Sequence, residues 1–184
     1  MICSYDFTMV DFPHKYAMVL YFAGCNLRCS FCYNKQVVMS QSSIDFDVIW
    51  HLYTKQCDIF GEKIGVVFSG GEPTIAGDFY KVYSVFKDSP KAIHSNGLVV
   101  PDIPCGFNSA VLSLKSSNEG VGDLDRYASK MNRAMEYYSV CDYKELRIVD
   151  IAENRKDYDY VLSKLLHTNS YNLCFVKEVK VDED

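Results

Sequence analysis

The amino-acid sequence predicts an α/β fold, a partial (β/α)6 TIM-like barrel with an open side. Three observations support this prediction. Short apolar runs alternate with longer stretches of helical periodicity, which is the pattern of parallel β/α units. Six such runs occur, whereas a closed barrel of this type has eight strands. Several runs also end in glycine, cysteine or polar residues, at the edge where such folds carry their functional groups.

Each predicted strand is a short, nearly continuous apolar run bounded by turn-forming residues. Runs of this kind are typical of parallel strands that are buried on both faces. We expect right-handed connections between them. In chain order the predicted strands are residues 17–22, 64–68, 92–95, 110–114, 145–149 and 172–176.

The predicted helices lie between these runs and carry apolar residues at spacings of three and four. They are residues 46–57, 79–86, 123–138 and 158–166. Asp45 precedes the first of them and is a candidate N-cap. The segment 101–107 contains Pro101 and Pro104, so we expect no regular helix there.

Length and composition limit the classes of protein that this chain can be. A length of 184 residues predicts one domain over residues 1–184. The net charge of −5, with no run of Lys or Arg, argues against a nucleic-acid partner. The longest apolar stretch, residues 16–25, is too short to cross a membrane, and the N-terminus lacks the features of a signal peptide. We therefore expect a cytoplasmic protein with no membrane partner, whose eight cysteines are mostly reduced thiols.

Cys25, Cys29 and Cys32 follow the first predicted strand and are the most informative residues in the chain. Three thiolates at this spacing can bind three corners of one cubane iron–sulfur cluster. A structural cluster normally has four cysteine ligands, so three leave one iron free to bind a small molecule. A zinc site typically needs a second cysteine or histidine pair, and the sequence shows none at the usual spacing. Zinc binding and chance clustering are the alternatives.

The other five cysteines are widely separated along the chain. Free cysteine is commonly a small buried apolar residue, and we expect that role for each of them. No spacing supports a fourth cluster ligand among them. They are Cys3, Cys57, Cys105, Cys141 and Cys174.

Further candidate residues follow the second, third and fourth predicted strands. Because the carboxyl ends of parallel strands meet at one edge, we expect these residues to converge with the cysteine loop on one site. In chain order they are Gly70, Gly71, Glu72 and Pro73, then His94, Ser95 and Asn96, and finally Lys115.

Two of these motifs resemble those of a known family, the radical S-adenosylmethionine superfamily. The cysteine loop, with Phe31 directly before Cys32, resembles the family's cluster-binding signature. The Gly-Gly-Glu-Pro sequence at 70–73 resembles its second motif, in the expected place after the second strand. The resemblance implies a [4Fe-4S] cluster and S-adenosyl-L-methionine as cofactors. It also implies reductive cleavage of S-adenosylmethionine to methionine and a 5′-deoxyadenosyl radical.

The resemblance also implies roles for individual residues. Glu72 would accept hydrogen bonds from the cofactor's ammonium group, which is a strong, charge-assisted type of bond. Gly70 and Gly71 would let the backbone approach the methionine moiety, and Pro73 would fix the turn. Phe31 would pack near the adenine.

The later motifs resemble family segments that contact the cofactor's ribose or carboxylate. Ser95, Asn96 and Lys115 are the candidates for these contacts, and Arg147 is a further candidate. His94 is interpreted either as a hydrogen-bond donor in the mouth of the barrel or as a structural histidine.

Finer features resemble the activating enzymes of glycyl-radical enzymes, above all those of anaerobic ribonucleoside-triphosphate reductase. These features are the lead-in Asp-Phe-Pro-His-Lys at 11–15 and Asn34, two residues after the last cysteine. The resemblance implies hydrogen abstraction from a backbone glycine of a partner glycyl-radical enzyme. It also implies an electron donor of the flavodoxin or ferredoxin type. Where some activases have cation-binding aspartates this chain has His94 and Ser113, so a cation site is not expected.

Two alternatives belong to other functional classes. The first is a small-molecule radical S-adenosylmethionine enzyme such as a 7-carboxy-7-deazaguanine synthase. Those enzymes usually have Asp-Thr after the last cysteine, whereas this chain has Tyr33 and Asn34. The second is a cluster protein that only carries electrons, which would leave Glu72 and its neighbouring glycines without a role.

Overall fold

A computed structural model describes residues 1–177. Their strands form one seven-stranded sheet, in which neighbouring strands follow one another in chain order. The last residues of the predicted domain, 178–184, lie outside the described residues. The strands are β1 (Ile2–Thr8), β2 (Ala17–Phe22), β3 (Gly65–Gly70), β4 (Lys91–Ser95), β5 (Ser109–Ser113), β6 (Tyr143–Asp150) and β7 (Asn172–Lys177).

Strands β2 to β7 are the six predicted strands, and every neighbouring pair among them is parallel. Strand β1 pairs antiparallel with β2 and was not predicted. Ser4 and Asp6 interrupt the apolar residues of this strand, and Asp6 is exposed to solvent. The strand therefore lacks the continuous apolar run by which the other strands were identified.

The four predicted helices are present, and their ends differ from the predictions by a few residues. Asp45 is confirmed as an N-cap, since its Oδ1 accepts a hydrogen bond of 3.0 Å from the Asp47 amide. A short helix after the cysteine loop was not predicted. The helices are α1 (Lys35–Val38), α2 (Phe46–Phe60), α3 (Phe79–Val85), α4 (Leu124–Tyr137) and α5 (Arg155–Lys164).

The two faces of the sheet carry two separate apolar clusters. On the helix-covered face the main core includes Phe22, Phe68 and Phe79, all fully buried. Because side chains alternate along a strand, Val67 lies on the opposite face, in a smaller cluster with Val19. The small cluster lies next to the cavity described below, because Val19 belongs to both.

The sheet does not close, which confirms the predicted open, partial barrel. Among residues 1–177, β1 and β7 are the edge strands, and no pairing joins one to the other. The connection between β4 and β5 contains Pro101 and Pro104 and has no regular helix, as expected from its sequence. Within the same part of the chain, no helix combines the length and apolarity needed to cross a membrane.

Gly71, just beyond the end of β3, lies against the backbone of the loop that follows β2. Its amide donates a 2.8 Å hydrogen bond to the Phe22 carbonyl. A Cβ atom at this position would lie 1.9 Å from the Gly24 carbonyl oxygen. The absence of a side chain at Gly71 therefore lets two functional loops come into contact.

Replacing Gly71 with Ala tests this contact. The new Cβ would meet backbone, which cannot rotate away, so we expect Gly71→Ala to lower the free energy of unfolding by about 3 kcal/mol. Urea denaturation measures this change. The matched control is Gly77→Ala, where a Cβ meets nothing within 4 Å, and we expect a change within about 0.5 kcal/mol. Equal stability of the two variants would contradict the proposed close approach.

Candidate active site

A cavity of about 520 Å³ opens at the carboxyl ends of the parallel strands. This is where the predicted motifs were expected to converge, and most of them line it. The predicted residues in its wall are Cys25, Cys29, Phe31, Cys32, Gly70, Gly71, His94, Ser95, Asn96, Lys115 and Arg147. Glu72 and Pro73 are buried and do not line the cavity.

The cysteine loop is shaped by its own backbone. Gly24 has a φ of +85°, a conformation that favours glycine, and its amide donates to the Val38 carbonyl at 3.1 Å. The Leu27 amide points at the Cys25 Sγ, at 3.4 Å. The Cys32 amide bonds to the Cys29 carbonyl at 3.2 Å. These bonds hold all three thiols, each half-buried, in the wall of one cavity.

Burial raises the pKa of two of these three thiols. It raises the pKa of Cys29 to about 12, although the nearby Lys115 ammonium acts in the opposite direction. Burial also raises the pKa of Cys25, against a hydrogen bond from the Leu27 amide. Thiolates are the metal-binding form, so a metal bound here would displace protons.

The donor set fits an iron–sulfur cluster better than a single ion. Within residues 1–177, no group of three or more His, Cys, Asp or Glu side chains is arranged around one metal position. A zinc ion would need four donors around one point. A [4Fe-4S] cubane instead binds one thiolate at each iron, so its ligands lie further apart. The assignment of Cys25, Cys29 and Cys32 as its ligands stays a prediction.

Glu72 is fully buried, and its carboxylate binds groups from the loops after β3 and β4. Oε1 accepts hydrogen bonds from the Thr74 hydroxyl (2.7 Å) and the Ser95 hydroxyl (2.9 Å). Oε2 accepts one from the Asn96 amide (2.7 Å). The Glu72 amide donates to the Gly24 carbonyl at 2.9 Å. One residue thus joins three of the loops around the cavity.

Burial raises the pKa of Glu72, whereas the hydrogen bonds from Asn96, Thr74 and Ser95 act in the opposite direction. The carboxylate is already engaged by these protein donors and does not reach the cavity surface. Its role here is to position the surrounding loops. The predicted contact of Glu72 with a cofactor ammonium group stays a prediction.

Lys115 points into the site rather than into solvent. Its Nζ lies 3.3 Å from Glu119 Oε1 and 5.3 Å from the centroid of the Phe31 ring. The second Glu119 oxygen accepts from the Ser116 amide at 2.7 Å and from the Tyr158 hydroxyl at 3.1 Å. Lys115 is therefore held against the cysteine loop by a buried partner.

Sequence reasoning missed Glu119. One signal could have revealed it: Ser116 and Glu119 form a Ser-x-x-Glu capping box, here at the start of a single 3-10 turn.

Two more polar side chains, His94 on β4 and Arg147 on β6, line the cavity. His94 Nε2 is buried and has no hydrogen-bond partner within the described residues. Burial and the Arg147 charge lower the pKa of His94, so the imidazole is neutral at neutral pH. Arg147 is held by Glu145, with 2.7 Å between Nε and Oε1, and Glu145 also accepts from the Tyr143 hydroxyl at 2.8 Å. His94 and Arg147 thus both face the cavity.

The lead-in and the residue after the cysteine loop also reach this cavity. Asp11 lines it, and its Oδ2 accepts a 2.8 Å hydrogen bond from the Thr8 hydroxyl. Asn34 lines it as well and donates from Nδ2 to the Gly70 carbonyl at 3.1 Å. The two segments that resemble the activating enzymes of glycyl-radical enzymes, represented by Asp11 and Asn34, therefore meet at the site.

The sequence was compared with family models and with curated proteins. The model of the Radical SAM superfamily matches residues 19–138. The protein named "Putative glycyl-radical enzyme activating enzyme MJ1227" from Methanocaldococcus jannaschii is 28% identical over 95 residues. The match covers 50% of this chain and 38% of that relative, so the chain spans well under half of the relative's length.

Solved structures share the fold at low sequence identity. QueE from Escherichia coli superimposes with a TM-score of 0.61 at 16% identity, over 98% of this chain and 84% of that one. SuiB from Streptococcus suis, bound to S-adenosylmethionine, gives a TM-score of 0.57 at 16% identity, over 89% of this chain and 43% of that one. At this identity the likeness concerns the fold alone.

The family match, the open barrel and the three thiols at the carboxyl edge agree with one another. The family uses a [4Fe-4S] cluster and S-adenosylmethionine, and these are the cofactors of this chain. The model matches well over half of the sequence, through both the cysteine loop and the Gly-Gly-Glu-Pro motif. The chain belongs to the radical SAM superfamily.

Proposed function

We propose that this radical SAM enzyme activates a glycyl-radical enzyme by abstracting a hydrogen atom from one of its backbone glycines. The partner we infer is an anaerobic ribonucleoside-triphosphate reductase. The observation that carries the proposal is the convergence of Asp11 and Asn34 on the cavity lined by the three cysteines. These residues belong to the two segments that resemble the activases. The name of the Methanocaldococcus jannaschii relative supports the same class of enzyme.

In this proposal the cysteine loop binds the cluster. Cys25, Cys29 and Cys32 would hold three irons of the cluster as thiolates, and the Lys115 ammonium favours the thiolate form of Cys29. When bound, the cluster and S-adenosylmethionine supply an electron and, by cleavage of a sulfonium–carbon bond, a radical that abstracts hydrogen. A flavodoxin- or ferredoxin-type protein is the proposed source of the electron.

The remaining wall residues would position S-adenosylmethionine. Gly70 and Gly71 present backbone groups without side chains, and Phe31 offers an aromatic face held in place beside Lys115. Ser95 and Asn96 are fixed by Glu72 at the next strand end. Pro73 is buried in the turn and supports the loop without lining the cavity.

The open side of the barrel gives a large substrate a way in. Strand β7 ends at the cavity, where Val176 and Lys177 form part of the wall. Among the described residues β7 has a neighbouring strand on one side only. A partner loop that carries the target glycine enters here, and Tyr33, 81% exposed at the cavity rim, offers it an aromatic contact.

The residue at position 34 argues against the alternative function, a small-molecule radical SAM enzyme. A 7-carboxy-7-deazaguanine synthase would usually have a hydroxyl side chain there, next to an aspartate. Here Asn34 instead uses its amide to bind the Gly70 carbonyl. The side chain therefore ties the cysteine loop to the Gly-Gly-Glu-Pro loop.

Single substitutions test the proposed cluster ligands. We expect Cys25→Ala, Cys29→Ala and Cys32→Ala each to abolish 5′-deoxyadenosine formation from S-adenosylmethionine under reducing, anaerobic conditions. Chromatography of the nucleoside products and iron analysis measure the effect. Cys174→Ser, on β7 and outside the cavity wall, is the matched control and should retain full iron content. A fully active, iron-loaded variant at position 25, 29 or 32 would refute that residue as a ligand.

Activation of the partner is tested by EPR spectroscopy. The reconstituted protein is incubated anaerobically with S-adenosylmethionine, a reductant and an anaerobic ribonucleotide reductase. We expect a protein-based glycyl radical doublet, which should disappear when the reductase carries Ala at its target glycine. If 5′-deoxyadenosine forms without any glycyl signal, the chain is a radical SAM enzyme but not an activase for this partner.

A further inference from the structure

Two of the cysteines outside the cavity lie next to each other at the opposite edge of the sheet. Cys105 comes shortly before β5, and Cys141 comes shortly before β6. The amino ends of these neighbouring strands are joined by a 3.2 Å hydrogen bond from the Tyr143 amide to the Asn108 carbonyl. Neither cysteine lines the cavity that holds Cys25, Cys29 and Cys32. This pair is thus separate from the proposed cluster site.

The two sulfur atoms are in contact but not bonded. The two Sγ atoms are 4.0 Å apart, the only sulfur–sulfur hydrogen-bond contact among residues 1–177. Bond formation requires these atoms to approach to about 2.05 Å. Cys105 is half-buried and accessible from solvent, whereas Cys141 is 2% exposed. One sulfur can meet a dissolved reagent, and the other is shielded behind it.

The two thiols are chemically unequal. The two sulfur atoms share one hydrogen bond, which either thiol can donate. With Cys141 as the donor, this bond is the main cause that lowers the pKa of Cys105 to about 7; burial acts in the opposite direction, and the Phe107 amide adds a smaller lowering. The same bond, together with burial, raises the pKa of Cys141. Thiolate is the attacking species in disulfide exchange, so Cys105 is suited to react first. Cys141 is suited to resolve the product, as the second cysteine of a redox pair does.

We propose that Cys105 and Cys141 form a reversible disulfide site that is oxidised by low-molecular-weight disulfides. The Cys105 thiolate attacks one sulfur of the reagent, forms a mixed disulfide and releases one reagent thiolate. Cys141 then loses its proton, attacks Cys105 Sγ and displaces the second reagent thiolate. The protein loses two electrons and two hydrogens in total, and the reagent is reduced to two thiols.

The cross-link would join the β4–β5 connection to the turn that precedes β6. It closes a loop between residues 36 positions apart, which restricts the unfolded chain. The sulfur atoms must approach by about 2 Å, which offsets part of this gain, and we expect the oxidised protein to melt about 5 °C higher than the reduced protein. Strong reductants would return it to the dithiol form.

Peptide mapping of the reconstituted full-length protein tests this proposal. The protein is treated anaerobically with oxidised glutathione, its free thiols are alkylated, and it is digested with trypsin without reduction. We expect a cross-linked product of the peptides 92–115 and 134–144, which contain Cys105 and Cys141 and none of the three cluster cysteines. Dithiothreitol should remove the cross-link.

Variants separate the two steps. In Cys141→Ser we expect glutathione to remain attached to Cys105, because no resolving thiol is present. In Cys105→Ser we expect Cys141 to stay unmodified, because it is buried. Cys57→Ser, on α2, is the matched control and should form the cross-link as the unmodified sequence does. The proposal is overturned if Cys105 does not react, or if its glutathione adduct persists in the unmodified sequence without a cross-link.

Discussion

The buried carboxylate of Glu72 is the interaction on which the geometry of the site depends. Burying a carboxylate is unfavourable unless hydrogen bonds compensate for the lost water, and four donors do so here, from Thr74, Ser95 and Asn96. The donors belong to the ends of two neighbouring strands. The Glu72 amide also binds the Gly24 carbonyl, so the cysteine loop is attached to the same residue. Hydrogen bonds to one buried carboxylate thus join the loops at the carboxyl edge of the barrel.

A second buried carboxylate performs a similar task on the other side of the cysteine loop. Glu119 is fixed by Ser116 and Tyr158, and it holds Lys115 beside Phe31 and Cys29. The two carboxylates flank the loop and leave its three thiols facing the cavity. This arrangement accounts for a site that keeps its shape on an open barrel, where no ring of strands constrains it. In the proposed function, the open side is where a loop of the partner protein would enter.

Much of this architecture could be predicted from the sequence, for identifiable reasons. Strands β2 to β5 are buried on both faces, so each is a nearly continuous apolar run, and both family motifs are continuous in sequence. Strand β1 escaped prediction because polar residues, Ser4 and Asp6, interrupt its apolar residues. The internal role of Glu72 and the partnership of Lys115 with Glu119 depend on how strand ends are brought together in space. The contact between Cys105 and Cys141, separated by 36 positions, likewise has no local signal in the sequence.

Hydrogen exchange of the Asn96 amide tests the role of Glu72 most directly. This amide is buried and donates to Glu72 Oε2 at 2.7 Å. Loss of such a bond to a charged acceptor costs about 1.5–3 kcal/mol, so the account predicts that Glu72→Ala speeds Asn96 exchange about 10- to 100-fold. The Val66 amide, which bonds to Pro90 in the same sheet, should exchange at its original rate. Unchanged protection of Asn96 in Glu72→Ala would contradict the claim that this carboxylate holds the loops together.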